Sequence, residues 1–281
     1  MKRFTLLIAA LIGVCGAYAQ EKIEWPIEPK NEYVEYMLYL ESEDFRMMGE
    51  KNLSPEIAQM LMEIPDEGVY ESREQLKADV DDLYKEVESA WRKFVWLCNE
   101  ERYGEAIELY RSDPLMVDLA LSHSMIRYTF HYDVLGFIAY DNLPASEARK
   151  LMADAISLDC LLLGWQYAER GEDEYKEYFD ESYFLLMGLY MEEDEYQRAL
   201  DLIDMRAQFL GDDISGLMKA SLCSSKAEVY YAMGDVQRSH DLLLECRELL
   251  NEELLIDGDS EELKSALEGV EELIEFTSNS L

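Results

Sequence analysis

The chain has 281 residues, 61 of them Asp or Glu against 25 Lys or Arg, for a formal net charge of -36. That excess opposes binding to nucleic acid or to an anionic membrane surface, because the phosphate contacts behind such binding need Lys and Arg. With 49% apolar residues, 19 Tyr, 9 Phe and 4 Trp the chain is no disordered acidic tail, and 14 Gly, 6 Pro and no Pro beyond Pro144 favour long helices over a turn-rich sandwich or barrel.

Met1, Lys2 and Arg3 precede an apolar run from Phe4 to Val14, too short to span a bilayer, and then Ala17, Tyr18 and Ala19. This is the pattern of a secretory signal peptide cut after Ala19, and it predicts a mature chain starting at Gln20 in a periplasm or outside the cell. Cleavage removes Lys2 and Arg3 and no acid, leaving 23 bases against 61 acids, a net charge of -38. The lesser alternative is a lipoprotein carrying its lipid on Cys15, against which Val14 stands where a lipobox has a small residue. No second apolar run approaches membrane length, so no direct membrane insertion is expected. The expected organisation is a signal peptide over 1–19, lead-in and capping helices over 20–70, and one helical domain over 71–281.

Pro26 and Pro29 make the mature start an extended lead-in. Asn31 can cap a helix to about Met48, and Ser54 with Pro55 opens a short helix that stops before Pro65. Ser72 caps a long helix with an apolar stripe at Leu76, Val80, Leu83, Val87, Ala90 and Phe94, broadening at Trp91 and Val95 to Leu97. A short helix follows over Tyr103 to Arg111. Leu115 to Tyr140 is apolar nearly all round, which predicts a central helix covered by its neighbours. Pro144 to Arg170 fits one long helix or two, and Gly171, Gly211, Gly234 and Gly258 mark later turns between helices. The pattern holds about eleven helices and no convincing strand, an all-α fold. The cysteines of the mature chain, Cys98, Cys160, Cys223 and Cys246, all fall in apolar helical stretches, where a free thiol acts as a small buried hydrophobe. Cys223 with Cys246 is the pair that a helical hairpin would bring close enough for a disulfide.

Two late segments match when slid by 40 residues: Met187 falls on Ala227, Tyr190 on Tyr230, Tyr196 on Val236, Ala199 on Ser239 and Ile203 on Leu243. Each has a Tyr in its first helix, an acidic or Gly turn, then a small residue and a larger apolar one in its second. Two antiparallel helices approach closely where small side chains face each other and larger ones fill the space around them. In this order the sequence resembles the tetratricopeptide repeat family, most in Ala227, Tyr230, Gly234, Asp235, Ser239 and Leu243, next in Tyr183, Leu186, Tyr190, Tyr196, Ala199 and Ile203, and partly in Tyr103, Ala106 and Tyr110. It departs from the family in its period, in Lys226 where Leu is usual, and in lacking a closing proline. The resemblance covers about half of the mature chain. It implies an α-α superhelix, a right-handed stack of antiparallel helix pairs whose concave groove, lined by the first helices, binds peptides or proteins.

Few residues suggest chemistry. His123 and His131 could share a helical face, but no HExxH occurs and His240 stands apart, so core or surface histidines are expected and no metal site. Asp257, Asp259, Glu261 and Glu268 imitate a calcium loop, yet Glu262 holds the position that demands Gly; Asp259 with Glu262 reads as a helix capping box. There is no GxSxG, no phosphate-binding Gly loop and no GxGxxG, and with 61 acids a pair of carboxylates carries no information. No cofactor is expected. Trp165, Tyr167, Tyr175, Tyr178, Tyr183 and Phe184 read mainly as core. Under the repeat alignment Trp91, Phe184, Met191, Glu228 and Tyr231 fall on the groove side, a lining suited to an extended peptide with apolar anchors and basic flanks. The expectation is an exported, non-catalytic binding or adaptor protein. Its rivals are a carbohydrate-active envelope enzyme using paired carboxylates and a structural subunit of an envelope assembly.

Overall fold

A computed structural model describes residues 23–50, 89–113, 123–211, 214–256 and 260–281, without the side chains of 45–50. The helices are α1 (Glu32–Glu50), α2 (89–99), α3 (Tyr103–Ser112), α4 (Ser124–Phe130), α5 (Gly136–Asn142), α6 (Ala145–Arg170), α7 (Asp173–Glu192), α8 (Tyr196–Leu210), α9 (Gly216–Ala232), α10 (Val236–Ile256) and α11 (Glu261–Ser278). Between α4 and α5 the helix continues through a π-helical segment, His131–Leu135. No strand occurs among the described residues. The all-α reading holds, and the helices stack as a solenoid of pairs: α2 with α3, α4/α5 with α6, α7 with α8, α9 with α10, and α11 closing the stack against α10.

Within three of the pairs, α2/α3, α7/α8 and α9/α10, the two helices are joined by the same kind of turn. Glu101, Asp194 and Gly234 each have positive φ, at 57°, 57° and 82°. The next residue donates its N–H to a carbonyl five residues back: Arg102 to Leu97 at 2.8 Å, Glu195 to Tyr190 at 2.8 Å and Asp235 to Tyr230 at 2.9 Å. This is a helix terminus closed by a left-handed residue, for which glycine is the cheapest choice and Asp a tolerated one. In the later two turns the side chains repeat as well, Arg198 lying over Tyr190 and Arg238 over Tyr230 at 4.4 and 4.1 Å from the ring centres, while in the first a differently placed pair, Arg102 over Trp96 at 5.0 Å, stands beside the turn. Ala106, Ala199 and Ser239 follow each turn at the same distance and are all buried. The 40-residue offset read in the sequence is therefore a structural repeat, and the partial match at Tyr103, Ala106 and Tyr110 belongs to it.

Asn31 caps α1 as expected, its side-chain oxygen accepting the Val34 N–H at 3.1 Å. Pro144 to Arg170 is one helix, and Gly164 within it has a packing reason. A Cβ there would lie 2.6 Å from the Phe209 ring and 2.7 Å from that of Phe179, so the missing side chain lets α6 approach α7 and α8. The cap of α11 is Ser260, whose hydroxyl accepts the Leu263 N–H at 3.3 Å; this corrects the capping box placed on Asp259, which lies outside the described residues. The Ser54–Pro55 and Ser72 helix starts, the Gly258 turn and the signal sequence also lie outside them.

The core is continuous from α1 to α9 and rich in rings, with Trp91, Phe94 and Phe130 in mutual contact and Phe179 edge-on to Phe209. A second, smaller cluster holds Ala220, Cys223, Cys246, Leu250, Leu263 and Val270 beneath α11. All four described cysteines are free thiols and buried, which matches their reading as small hydrophobes. Cys223 donates to the Leu242 carbonyl at 3.3 Å and Cys246 to the Ala220 carbonyl at 3.2 Å, so each thiol bonds to the backbone of the opposite helix. Burial pushes their pKa values up to about 12 and about 11, away from the thiolate form that reacts.

Candidate functional site

The face lined by the first helices of the pairs begins with α1. As its numbering rises, contacts fall along both neighbours: on the α2 side Asn31 donates to the Cys98 carbonyl and Glu41 accepts from Trp91, while on the α4 side Tyr36 donates to Asp133 at 3.0 Å and Asp44 accepts the His123 N–H at 2.8 Å. So α1 lies antiparallel to both, in the channel between the first helices of pairs one and two. Val34, Met37 and Leu40, at helical spacing, are its buried stripe.

The next channel, between α4/α5 and α7, is open. Tyr132, Gly136, Phe137 and Tyr140 line one side, Leu185 and Leu189 the other, and Met152 reaches up from α6, around a cavity of about 210 Å³. Tyr132, Phe137 and Tyr140 are 50%, 57% and 49% exposed. The sequence expectation of a middle helix covered on all sides is thus corrected: one flank carries three large aromatic side chains without cover. Burial and then the carboxylates, Glu181 and Asp133 among them, push the Tyr128 hydroxyl up beneath this face, and burial with Glu192 does the same to Tyr140. The nearby cation Arg149 is taken by Glu193 at 2.6 Å and Glu192 at 3.5 Å.

The π-helical segment gives this flank its direction. Gly136 donates its N–H to the carbonyl of His131, five residues back, a wider turn than the α-helix has. Its inner side is held by a buried polar network. His131 Nδ1 donates to the Asp159 carboxylate, Arg127 pairs with the other carboxylate oxygen at 3.1 Å, and Tyr110 meets His131 Nε2 at 3.2 Å. His131 and Asp159 are both fully enclosed, so a substrate has no path to them, and their chemical task here is to tie α3, the π segment and α6 together. Sequence reasoning left His131 as a core or surface histidine and missed its partner; the structure encloses it fully. The available signal was Asp159, a lone acid inside the apolar run Ile156 to Leu163.

The five groove residues read from the repeat do not share one pocket. Trp91 is 2% exposed, stacked on Phe94 and edge-on to Phe130, and offers a partner no surface; its placement in the groove is corrected, because α1 covers that stretch of α2. Phe184 is 58% exposed with the Arg206 guanidinium 5.0 Å from its ring centre, and Glu228 is exposed on α9. Met191 is partly buried against the main core. Tyr231, its counterpart one repeat later, is 38% exposed and leans on Phe276 of α11 at 5.5 Å. The residues that do enclose a cavity were missed because the π segment has no counterpart in the repeat used for the alignment.

A second hollow, about 450 Å³, lies beneath the lead-in. There Lys30 donates its backbone N–H to Asn99 at 2.8 Å and Asn99 donates to the Glu28 carbonyl at 3.2 Å, pinning the extended segment to the end of α2. Among the described residues no three metal-ligating side chains come together, and no helix is long and apolar enough to cross a membrane. No protein-family model, curated protein or solved structure matches the chain.

Proposed function

We propose that this chain is an exported helical-repeat protein of tetratricopeptide-like construction that binds a protein or peptide partner on the face of its first helices, without catalysis. The observation that carries the reading is the open channel between α4/α5 and α7, where three aromatic side chains stand half-exposed above an apolar floor. Exposed aromatic side chains beside a pocket are the usual anchors of recognition, and water-facing rings of this size are costly without such a use. The net charge of -36 favours a basic partner and speeds its approach. The enclosure of His131 and Asp159 supports a binding role over an enzymatic one.

The mature protein, immobilised and exposed to extract from its own cell envelope, should retain a partner that Phe137→Ala and Tyr140→Ala release. Retention of the same partner by both folded variants would remove the channel from the binding face. For export, the intact mass of the secreted product should correspond to a start at Gln20; a lipid on Cys15 would make it an anchored protein instead.

A further inference from the structure

The form in which a partner enters the channel can be read from the helix already seated beside it. We propose that the partner docks as a basic amphipathic helix lying between α4/α5 and α7, side by side with α1; this rests on the binding reading above and adds to it the partner's shape and charge.

The first argument is continuity. α1 occupies the neighbouring channel, antiparallel to the helices on either side, with Val34, Met37 and Leu40 buried beneath it and Tyr36 and Asp44 bonding outward to the α4 side. Its remaining edge is aromatic and partly uncovered: Tyr36 and Tyr39 stack at 6.0 Å, Tyr39 is exposed, and Tyr178 of α7 is close enough to act on the Tyr36 hydroxyl. Tyr132 stacks on Tyr128 at 6.0 Å, and Tyr128 meets Tyr178 edge-on at 6.0 Å, so rings run from α4 across to α7. A second helix in the open channel would continue the layer that α1 begins.

The second argument is the backbone. An extended peptide brings a row of N–H and C=O groups that must find partners, and the channel is lined by Tyr132, Phe137, Tyr140, Leu185, Leu189 and Met152, with no strand edge among the described residues. A helix satisfies its own backbone and needs only apolar contact. From Tyr132 to Tyr140 the wall extends for roughly 12 Å, or two helical turns, which accepts apolar anchors at i, i+3 or i+4, and i+7. The third argument is charge. Glu181 acts on the Tyr128 hydroxyl and Glu192 on that of Tyr140, so α7 brings acids to this flank, while Arg149 is held by Glu192 and Glu193. Lysine or arginine on the outer face of the guest helix meets them.

Three labelled peptides built from Leu, Ala and Lys, each about 14 residues long and of equal net charge, test this against the full mature chain. One carries Leu in a helical stripe, one has the Leu positions alternating so that no stripe forms, and one keeps the stripe but has two central residues replaced by Pro. The striped peptide should bind about tenfold more tightly than either of the others, gain helicity on binding and weaken as salt rises, and folded Phe137→Ala should cost it about another tenfold. Equal binding of the proline peptide, itself lost with Phe137→Ala, would overturn the helical guest while leaving the channel a peptide site. Binding of the striped peptide that Phe137→Ala leaves unchanged, or no binding of any peptide, would also overturn it; release of the natural partner by the channel variants then decides the broader reading separately.

Discussion

The stretch from α4 to α8 and the stretch from α9 to α11 are built on the same helix pair and turned by the same left-handed residue, yet their interiors differ. The first packs rings around a buried charged network, with Phe130, Phe179 and Tyr183 fully enclosed beside Arg127, His131 and Asp159. The second closes over small aliphatic side chains and two thiols, and its cross-helix polar ties are single neutral or half-buried bonds, such as His240 Nδ1 with the Thr277 hydroxyl at 2.9 Å. Turn geometry is thus encoded locally by a few residues and is copied freely along the chain. The interior is a property of each interface, and here it concentrates stability in the middle of the stack.

The strongest way to break this contrast is Asp159→Ala. It removes the buried carboxylate to which both the Arg127 guanidinium and His131 bond, and the expected loss is about 3–5 kcal/mol in urea melts. The matching change in the other region, His240→Ala, should cost no more than about 1 kcal/mol, since it removes a single half-buried hydrogen bond. Comparable losses would mean that the network is not what distinguishes the middle. Next in size is overpacking: Leu at Ala199 or Ser239, both enclosed at the close approach of a pair, should cost about 1–3 kcal/mol. Gln197 and Gln237 lie two residues before them, exposed and bonded to Asp201 and Asp241 at 2.9 Å, and should accept Leu with changes within about 0.5 kcal/mol. A smaller cost, about 1–2 kcal/mol, is expected for Gly234→Ala, which puts a side chain at a φ of 82°. Gly234→Asn should cost less, because Asn and Asp tolerate that conformation and Asp194 already holds it in the equivalent turn. Last, Phe137→Ala and Tyr140→Ala should shift stability by less than about 0.5 kcal/mol despite the size of the rings removed, because both side chains already face water. A larger loss for either would show that it supports the fold and is not held ready for a partner.

Much of this architecture was legible in the sequence. The Tyr190 and Tyr230 segments announced the repeat, Asn31 announced its cap, and the apolar spacing of the cysteines announced their burial. What was not legible depends on tertiary context. Trp91 sits in the right register for a groove, but nothing in its neighbourhood says that α1 will lie across it. Tyr132, Phe137 and Tyr140 fall in a run so apolar that helical periodicity cannot separate a covered flank from an open one. The Ser260 cap beside Asp259 shows the ordinary one-residue uncertainty of a helix start.

The π-helical segment carries a consequence for how such a surface could arise. A turn that closes between Gly136 and His131 holds one residue more than an α-helical turn, as if a single codon had been added to an older, regular helix. Removing one residue between Tyr132 and Leu135 would let the helix close normally, and α5 would turn by roughly 100° about its axis relative to α4. Phe137 and Tyr140 would leave the channel together and other side chains of α5 would take their places, while the pairing of α6 with α7 need not change. The aromatic flank and the scaffold beneath it can therefore vary separately, with a single residue of the π segment standing between them.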